Sequence, residues 1–379
     1  MKLLYSILLV TLCAGLMSCS EQKPETPSES ASQPETTDLS AIAAQETEPM
    51  PEILDVFEVG ESVYVRSLAL EEDTNTLWVG TSLGVLEIGL ENRQLNNTFT
   101  RDHGLANEYV FGIGIDRDGY KWFGTNAGGM TRYKDGDWKT YFPMHGLADY
   151  WIYSFANDHD GGLWVGTWAG ANYLNRDTDE FKTYVKELIN EWVYGIDVDS
   201  RGTVWFGTEG GVSRYDGENW TSWTHENGIG GDNPDALPFS TNTGLGTRSR
   251  HDLGVMASGS PTYNPNYVFS ILVDSQDSIW AGTWGGGVSR FKDGEWTNLM
   301  EKDGLAGNIV YSLAQDKKGV YWFGTNRGLS RYDGKQWRNW NVHGGLPSND
   351  VYAIQAHGDD IWIGTRGGVT RLGYKTSTK

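Results

Sequence analysis

The chain has 379 residues, among them 49 glycines, 17 tryptophans and 19 tyrosines, and a formal charge of -20. That length calls for two domains or one large closed repeat, and a glycine- and aromatic-rich composition suits short strands joined by tight turns rather than long helices. The acidic balance argues against a nucleic-acid partner or an electrostatic hold on anionic lipid headgroups. With Cys13 and Cys19 the only cysteines, the chain beyond them has no disulfide, thiolate nucleophile or cysteine metal ligand.

Residues 1–18 read as a signal peptide, with Lys2 as the positive start and an apolar run at 3–12 too short to span a bilayer. Leu16-Met17-Ser18-Cys19 resembles a bacterial lipobox, which implies lipidation of Cys19 and a lipoprotein of the cell envelope. Ser20 after that cysteine favours the outer membrane or cell surface over the inner membrane. Residues 19–52 carry eight acids against one lysine and almost no large apolar side chain; such a segment cannot bury a core and is expected to be a disordered tether.

A motif of tryptophan, one residue and Gly-Thr begins at Trp78, Trp122, Trp164, Trp205, Trp280, Trp322 and Trp362. The spacings are 44, 42, 41, 75, 42 and 40, a period near 42 with one insertion, placed at about 226–265. Such a period is that of a four-stranded propeller blade. The fold class is therefore all-β: a seven-bladed β-propeller of four-stranded antiparallel blades over 53–373, with a short tail at 374–379. In blade two the strands fall at 109–115, 122–125, 130–133 and 138–142, with Asp135-Gly136 as the last hairpin turn, a dipeptide that recurs at Asp216, Asp293 and Asp333. The motif tryptophan fills the gap between blades and the glycine lets backbones approach. Arg132, Arg214, Arg290, Arg331 and Arg371 recur in the third strand and read as structural. Blade seven runs out of chain after three strands, and residues 53–57 are expected to supply its fourth, closing the ring and removing a sheet edge.

The units, for instance 310–316 followed by Trp322-Phe323-Gly324-Thr325-Asn326-Arg327-Gly328-Leu329-Ser330-Arg331-Tyr332, resemble the two-component-regulator propeller repeat, and more distantly the streptogramin lyase propeller. The first resemblance implies an extracytoplasmic sensing role of the kind found in bacterial hybrid histidine kinases, often tied to polysaccharide use. The chain has no kinase or DNA-binding segment, so it is expected to act with a membrane sensor or transport partner.

No Gly-x-Ser-x-Gly, His-Glu-x-x-His or phosphate loop is present, and no catalytic residue, cofactor or metal site is assigned. Asp116-x-Asp118-Gly119 opens like a calcium loop, but its twelfth position is Ala127, so it reads as a hairpin turn. His103 and His145 are turn residues, since Asp303 replaces them in the same place. The positions where the repeats disagree are the better guide. After Gly-Thr stand Ser82, Asn126, Trp168, Glu209, Trp284, Asn326 and Arg366; the inner strands carry Phe111, Tyr153, Tyr194, Phe269, Tyr311 and Tyr352, but Arg66 in blade one. Trp151 and Trp192 lie just ahead. The candidate ligand face is thus Arg66, Asn126, Trp151, Trp168, Trp192, Glu209, Trp284, Asn326 and Arg366. Planar polar groups among aromatics suit a sugar ring; protein scaffolding is the alternative, and a lyase-type enzyme using Glu209 with Arg66 or Arg366 the third. The insertion would be a lid over part of the mouth or a disordered excursion.

Overall fold

The computed structural model describes residues 50–239 and 262–374. The signal peptide, Cys19, all but the last residues of the tether, the middle of the insertion and residues 375–379 lie outside the described residues. The described residues form seven four-stranded antiparallel sheets, one per blade. Blade one, for example, runs through Val65–Glu71, Thr76–Thr81, Gly84–Gly89 and Gln94–Phe99 from the axis outward.

Every part of the motif has a packing reason. The tryptophans are buried, and in six blades the indole N–H donates to a carboxylate on the turn that precedes it: Trp122 to Asp116 at 2.9 Å, Trp164 to Asp158 at 2.8 Å, Trp78 to Glu71 at 2.9 Å. The other oxygen of Asp116 accepts from the backbone of Asp118 and Tyr120, so Asp-x-Asp-Gly is a hairpin turn. A Cβ on Gly324 would stand 2.5 Å from the Val351 carbonyl of the next blade. The motif threonines are buried, and Thr125, Thr167 and Thr325 each donate to a glycine carbonyl across the following turn at 2.8 Å. Third-strand arginines face the tryptophans across the ladder: Arg132, Arg214, Arg290 and Arg371 lie 5.1–5.9 Å from the ring centroids.

The Asp-Gly turns are of two sorts. Asp135 and Asp293 take left-handed φ with the glycine after them, a two-residue hairpin turn, whereas Asp216 instead accepts from the backbone of Glu218 and Asn219 in a longer loop. His103 and His145 each accept a backbone N–H three residues back, from Thr100 and Phe142, the job Asp303 does for Met300.

Glu52–Glu58 pairs with Gly368–Gly373, so the first strand is the outermost of blade seven and the ring closes as the sequence requires. Blade five opens with a longer inner strand, Asn264–Val273, where the chain returns from the insertion.

Candidate functional site at the propeller mouth

In all seven blades the pairing of the inner with the second strand slips by one residue at the same place. The residues at the slip are Arg66, Phe111, Tyr153, Tyr194, Phe269, Tyr311 and Tyr352, and all seven line the axial cavity. A bulge turns one side chain out of the pleat; seven in register turn a whole ring of them onto the axis. The rings touch in sequence: Phe111 to Tyr153 at 4.9 Å, Tyr153 to Tyr194 at 4.9 Å, Phe269 to Tyr311 at 5.9 Å and Tyr311 to Tyr352 at 5.2 Å between centroids. Arg66 completes the belt, its guanidinium 5.1 Å from the Phe111 ring and 5.6 Å from that of Tyr352, with a hydrogen bond of 3.2 Å to the Tyr109 hydroxyl.

A second tier lies two residues earlier: Tyr64, Tyr109, Trp151, Trp192, Tyr267, Ile309 and Asp350. Of these only Trp151 and Trp192 are legible as site residues in the sequence. Tyr267 adds an eighth wall to the cavity because a further register slip in blade five re-aims it. The signal for the rest is the offset of two from the bulge, readable only once the bulge is known.

The residues after Gly-Thr form the third tier and share a face with the second. The backbone N–H groups of Ser82, Asn126, Trp168, Glu209 and Asn326 donate to the carbonyls of Tyr64, Tyr109, Trp151, Trp192 and Ile309. The structure thereby brings together Arg66, Trp151, Trp168, Trp192, Glu209 and Trp284, but as packed groups rather than an open rim. Trp168 is 3 % exposed and stacks between Trp151 at 5.6 Å and Trp192 at 4.8 Å. Trp284, 5 % exposed, lies on Tyr267, and its indole donates to Thr262 at 2.8 Å. Neighbouring tiers thus bury both tryptophans. Trp151, Asn126 and Asn326 are half-buried, and the Asn326 side chain accepts from the Ile309 backbone at 3.3 Å.

Arg366 is the exposed member of the third tier. It packs over Tyr64 at 5.6 Å, donates to the Glu61 carbonyl at 3.1 Å and lines a separate groove of about 650 Å³ with Glu58 and Glu61. Tyr267 feels both the Glu209 carboxylate and the Arg66 guanidinium.

Glu209 is the chemically unusual group. Burial pushes its carboxyl up to about 8, against a smaller opposing effect of the Tyr194 hydroxyl 3.3 Å away. Tyr194 and Tyr267 are held well above the usual phenol range by burial. On the same inner strand Asp197 is raised to about 6 by burial, although the backbone N–H groups of Val273 and Val198 act to lower it. No group of three or more His, Cys, Asp or Glu among the described residues is placed to hold a metal ion. The axial cavity measures about 120 Å³, less than the roughly 150 Å³ that takes one benzene ring. A sugar-sized ligand would therefore sit on the mouth above the belt.

Fold and face together define a seven-bladed propeller with a plugged axis and a chemically varied mouth. Five segments, 146–169, 187–210, 262–285, 304–327 and 345–367, match the two component regulator propeller family; each spans the turn and first two strands of one of blades three to seven, and the chain carries that repeat. Among solved structures, it is similar to the extracellular domain of a hybrid two component system from B. thetaiotaomicron, with 19 % identity, a TM-score of 0.66, and coverage of 86 % of this chain and 41 % of that one. The chain thus spans less than half of that domain. Virginiamycin B lyase from Staphylococcus aureus matches with 14 % identity and a TM-score of 0.61 over 84 % of this chain and 98 % of that one. YCF48 bound to D1 peptide matches with 12 % identity and a TM-score of 0.59 over 87 % and 99 %. No curated protein matches the sequence.

Proposed function

We propose that this chain is an extracytoplasmic recognition propeller that takes a small or polymeric ligand at its mouth, a sugar ring being the class the site suits best. The observation that carries the reading is the closed belt of six aromatic side chains and one arginine on the axis, capped by Trp151, Trp168, Trp192 and Trp284. Flat apolar faces beside Asn126, Asn326 and Glu209 match a ring with one apolar face and a hydroxylated edge. At neutral pH a carboxyl raised to about 8 is largely protonated and can donate as well as accept. The fold likeness to the extracellular domain of a hybrid two component system accords with this reading. In the same proposal Cys19 carries the lipid that holds the chain at the envelope, and a membrane protein receives the ligand or the signal. Among the described residues no helix is long and apolar enough to cross a membrane.

The test is a glycan array probed with the whole chain, followed by titration of any hit against Trp151→Ala and Asn126→Ala. Saturable binding weakened by both changes supports the reading; no glycan bound, or binding indifferent to both, removes it. A protein scaffold is the second reading, favoured by exposed apolar side chains on the same face: Met144 at 85 %, Leu83, Tyr150 and Ile189. A lyase-type reaction would rest on the raised Glu209 carboxyl as acid or base, and turnover would vanish in Glu209→Gln.

A further inference from the structure

The gaps between blades on the face opposite the mouth are built alike but filled differently. Between blades one and two, Lys121 inserts its ammonium into a cage: 5.1 Å from the Trp78 ring, 5.7 Å from the Tyr133 ring and 2.9 Å from the Glu71 carboxylate, which also accepts the Trp78 indole N–H. Burial acts to raise the Glu71 carboxyl, yet its bonds to Lys121 and Trp78 hold it below the usual range.

Between blades three and four the same cage recurs. Trp164 stands for Trp78, Tyr215 for Tyr133 and Asp158 for Glu71, and Asp158 accepts the Trp164 indole N–H at 2.8 Å. The ring geometry agrees closely: Trp78 and Tyr133 lie 5.8 Å apart at 61°, Trp164 and Tyr215 6.1 Å apart at 69°. Val204, paired with Tyr215, occupies the ladder position that Lys121 holds opposite Tyr133. Its short side chain leaves a groove of about 340 Å³ walled by these rings, Tyr184 and Asp158.

Blade three differs in a second way. The tryptophans of blades one, two, four, five and seven each have a lysine or arginine within 6 Å of the ring, and Trp322 has Arg331 across the ladder. Across from Trp164 stands Tyr173. Of the nearby cations, Arg201, at the edge of the groove, is bound to Asp199 at 2.8 Å, and Lys182 lies over the ring of the wall residue Tyr184 at 4.8 Å rather than between Trp164 and Tyr215.

We infer that the groove between blades three and four is a binding site for a primary ammonium group, held as the chain's own Lys121 is held between blades one and two. Aromatic faces and a carboxylate on one side of a partly desolvated cavity attract such a cation, the carboxylate taking its hydrogen bonds and the rings its charge. The net charge of -20 adds a long-range bias of the same sign.

The probe is n-butylammonium chloride, titrated calorimetrically into the whole chain with n-butanol as the uncharged control. Saturable binding of the ammonium but not the alcohol is expected, weakened about tenfold or more in Asp158→Asn, which keeps the shape and removes the charge. Val204→Lys should abolish binding and raise the melting temperature, because the chain then supplies the cation itself. An acetylated tripeptide with a central lysine binding tighter than n-butylammonium assigns the group to a peptide side chain; the reverse order assigns it to a free amine. Absence of saturable ammonium binding, equal binding of the alcohol, or binding unchanged in both variants overturns the inference. Trp151→Ala, at the mouth, should leave this binding unaltered, which separates its failure from that of the glycan reading.

Discussion

Arg371, on the last strand of the ring, meets Asp55, on the first, with two guanidinium nitrogens 2.6 and 2.7 Å from the same carboxylate oxygen. The pair ties together residues 316 positions apart and is a polar latch on a seam made of backbone ladder and of apolar contacts such as Phe57 on Trp362. Arg371 also holds Asp360 at 2.9 Å, so one buried cation serves both the seam and the blade.

Loss of the latch should be measurable. Asp55→Ala leaves Arg371 with one carboxylate and is expected to cost about 1–3 kcal/mol, the range for a charge-assisted bond at a mostly buried site. A chain beginning at Glu61 loses the whole strand and exposes an edge; it should melt earlier and with less cooperativity than one beginning at Gln45. Identical melting curves would show that the ring does not depend on this closure.

Glu209 makes stability depend on pH with a definite sign. Its folded-state pKa of about 8 lies above the ordinary 4.5, so between those values the folded chain binds more proton than the unfolded chain. Stability must therefore fall as pH rises through that window, by up to about 1.4 kcal/mol per pH unit from this group. Asp197, raised to about 6 from 3.8, adds a loss of the same sign at the lower end. Glu209→Gln should flatten the melting temperature between pH 6 and 8, and an unchanged slope in that variant would place the charge dependence elsewhere.

Burial of the third-tier tryptophans sets their expected behaviour. Trp168→Ala and Trp284→Ala should each cost roughly 3–5 kcal/mol, as should Trp122→Ala, because all three remove a ring from a packed environment. Half-buried Trp151 should cost less. Thermal melting of the four variants checks the ranking, and a Trp168→Ala protein as stable as the parent would show that its ring packs on nothing essential.

Two glycines separate close approach from backbone conformation. Gly324→Ala must push Val351 of the next blade away from a 2.5 Å contact and is expected to cost about 3 kcal/mol. Gly217, at φ +99° with nothing within 4 Å of an added Cβ, should cost only about 1 kcal/mol when changed to Ala, from backbone strain. Denaturant titration of both variants gives the comparison directly.

Blade number, the four-strand meander and the closing role of residues 53–57 were legible because each follows from local pattern: a 42-residue period, Asp-Gly turns, and one strand too many at one end and too few at the other. The seven variable residues after Gly-Thr were legible too, since no packing rule explains their disagreement, and so was the inner-strand position that is aromatic in six blades and Arg66 in the first. What could not be read was where those side chains stand. Alternation along a strand assigns a side chain to one face of a blade, and only the bulge shared by all seven pairings turns Arg66, Tyr153 and their equivalents onto the axis. Likewise Trp168 and Glu209 are loop residues in sequence, yet the closing of the ring brings blades three, four and five near enough to bury them. The periodicity of this chain determines a propeller, because repeated local patterns carry their own partners one period away. Tertiary structure alone decides that Glu209 is buried beside Tyr194 and that Trp164 faces a groove where Trp78 meets a lysine, because burial and neighbours are properties of the closed ring and no single repeat contains them.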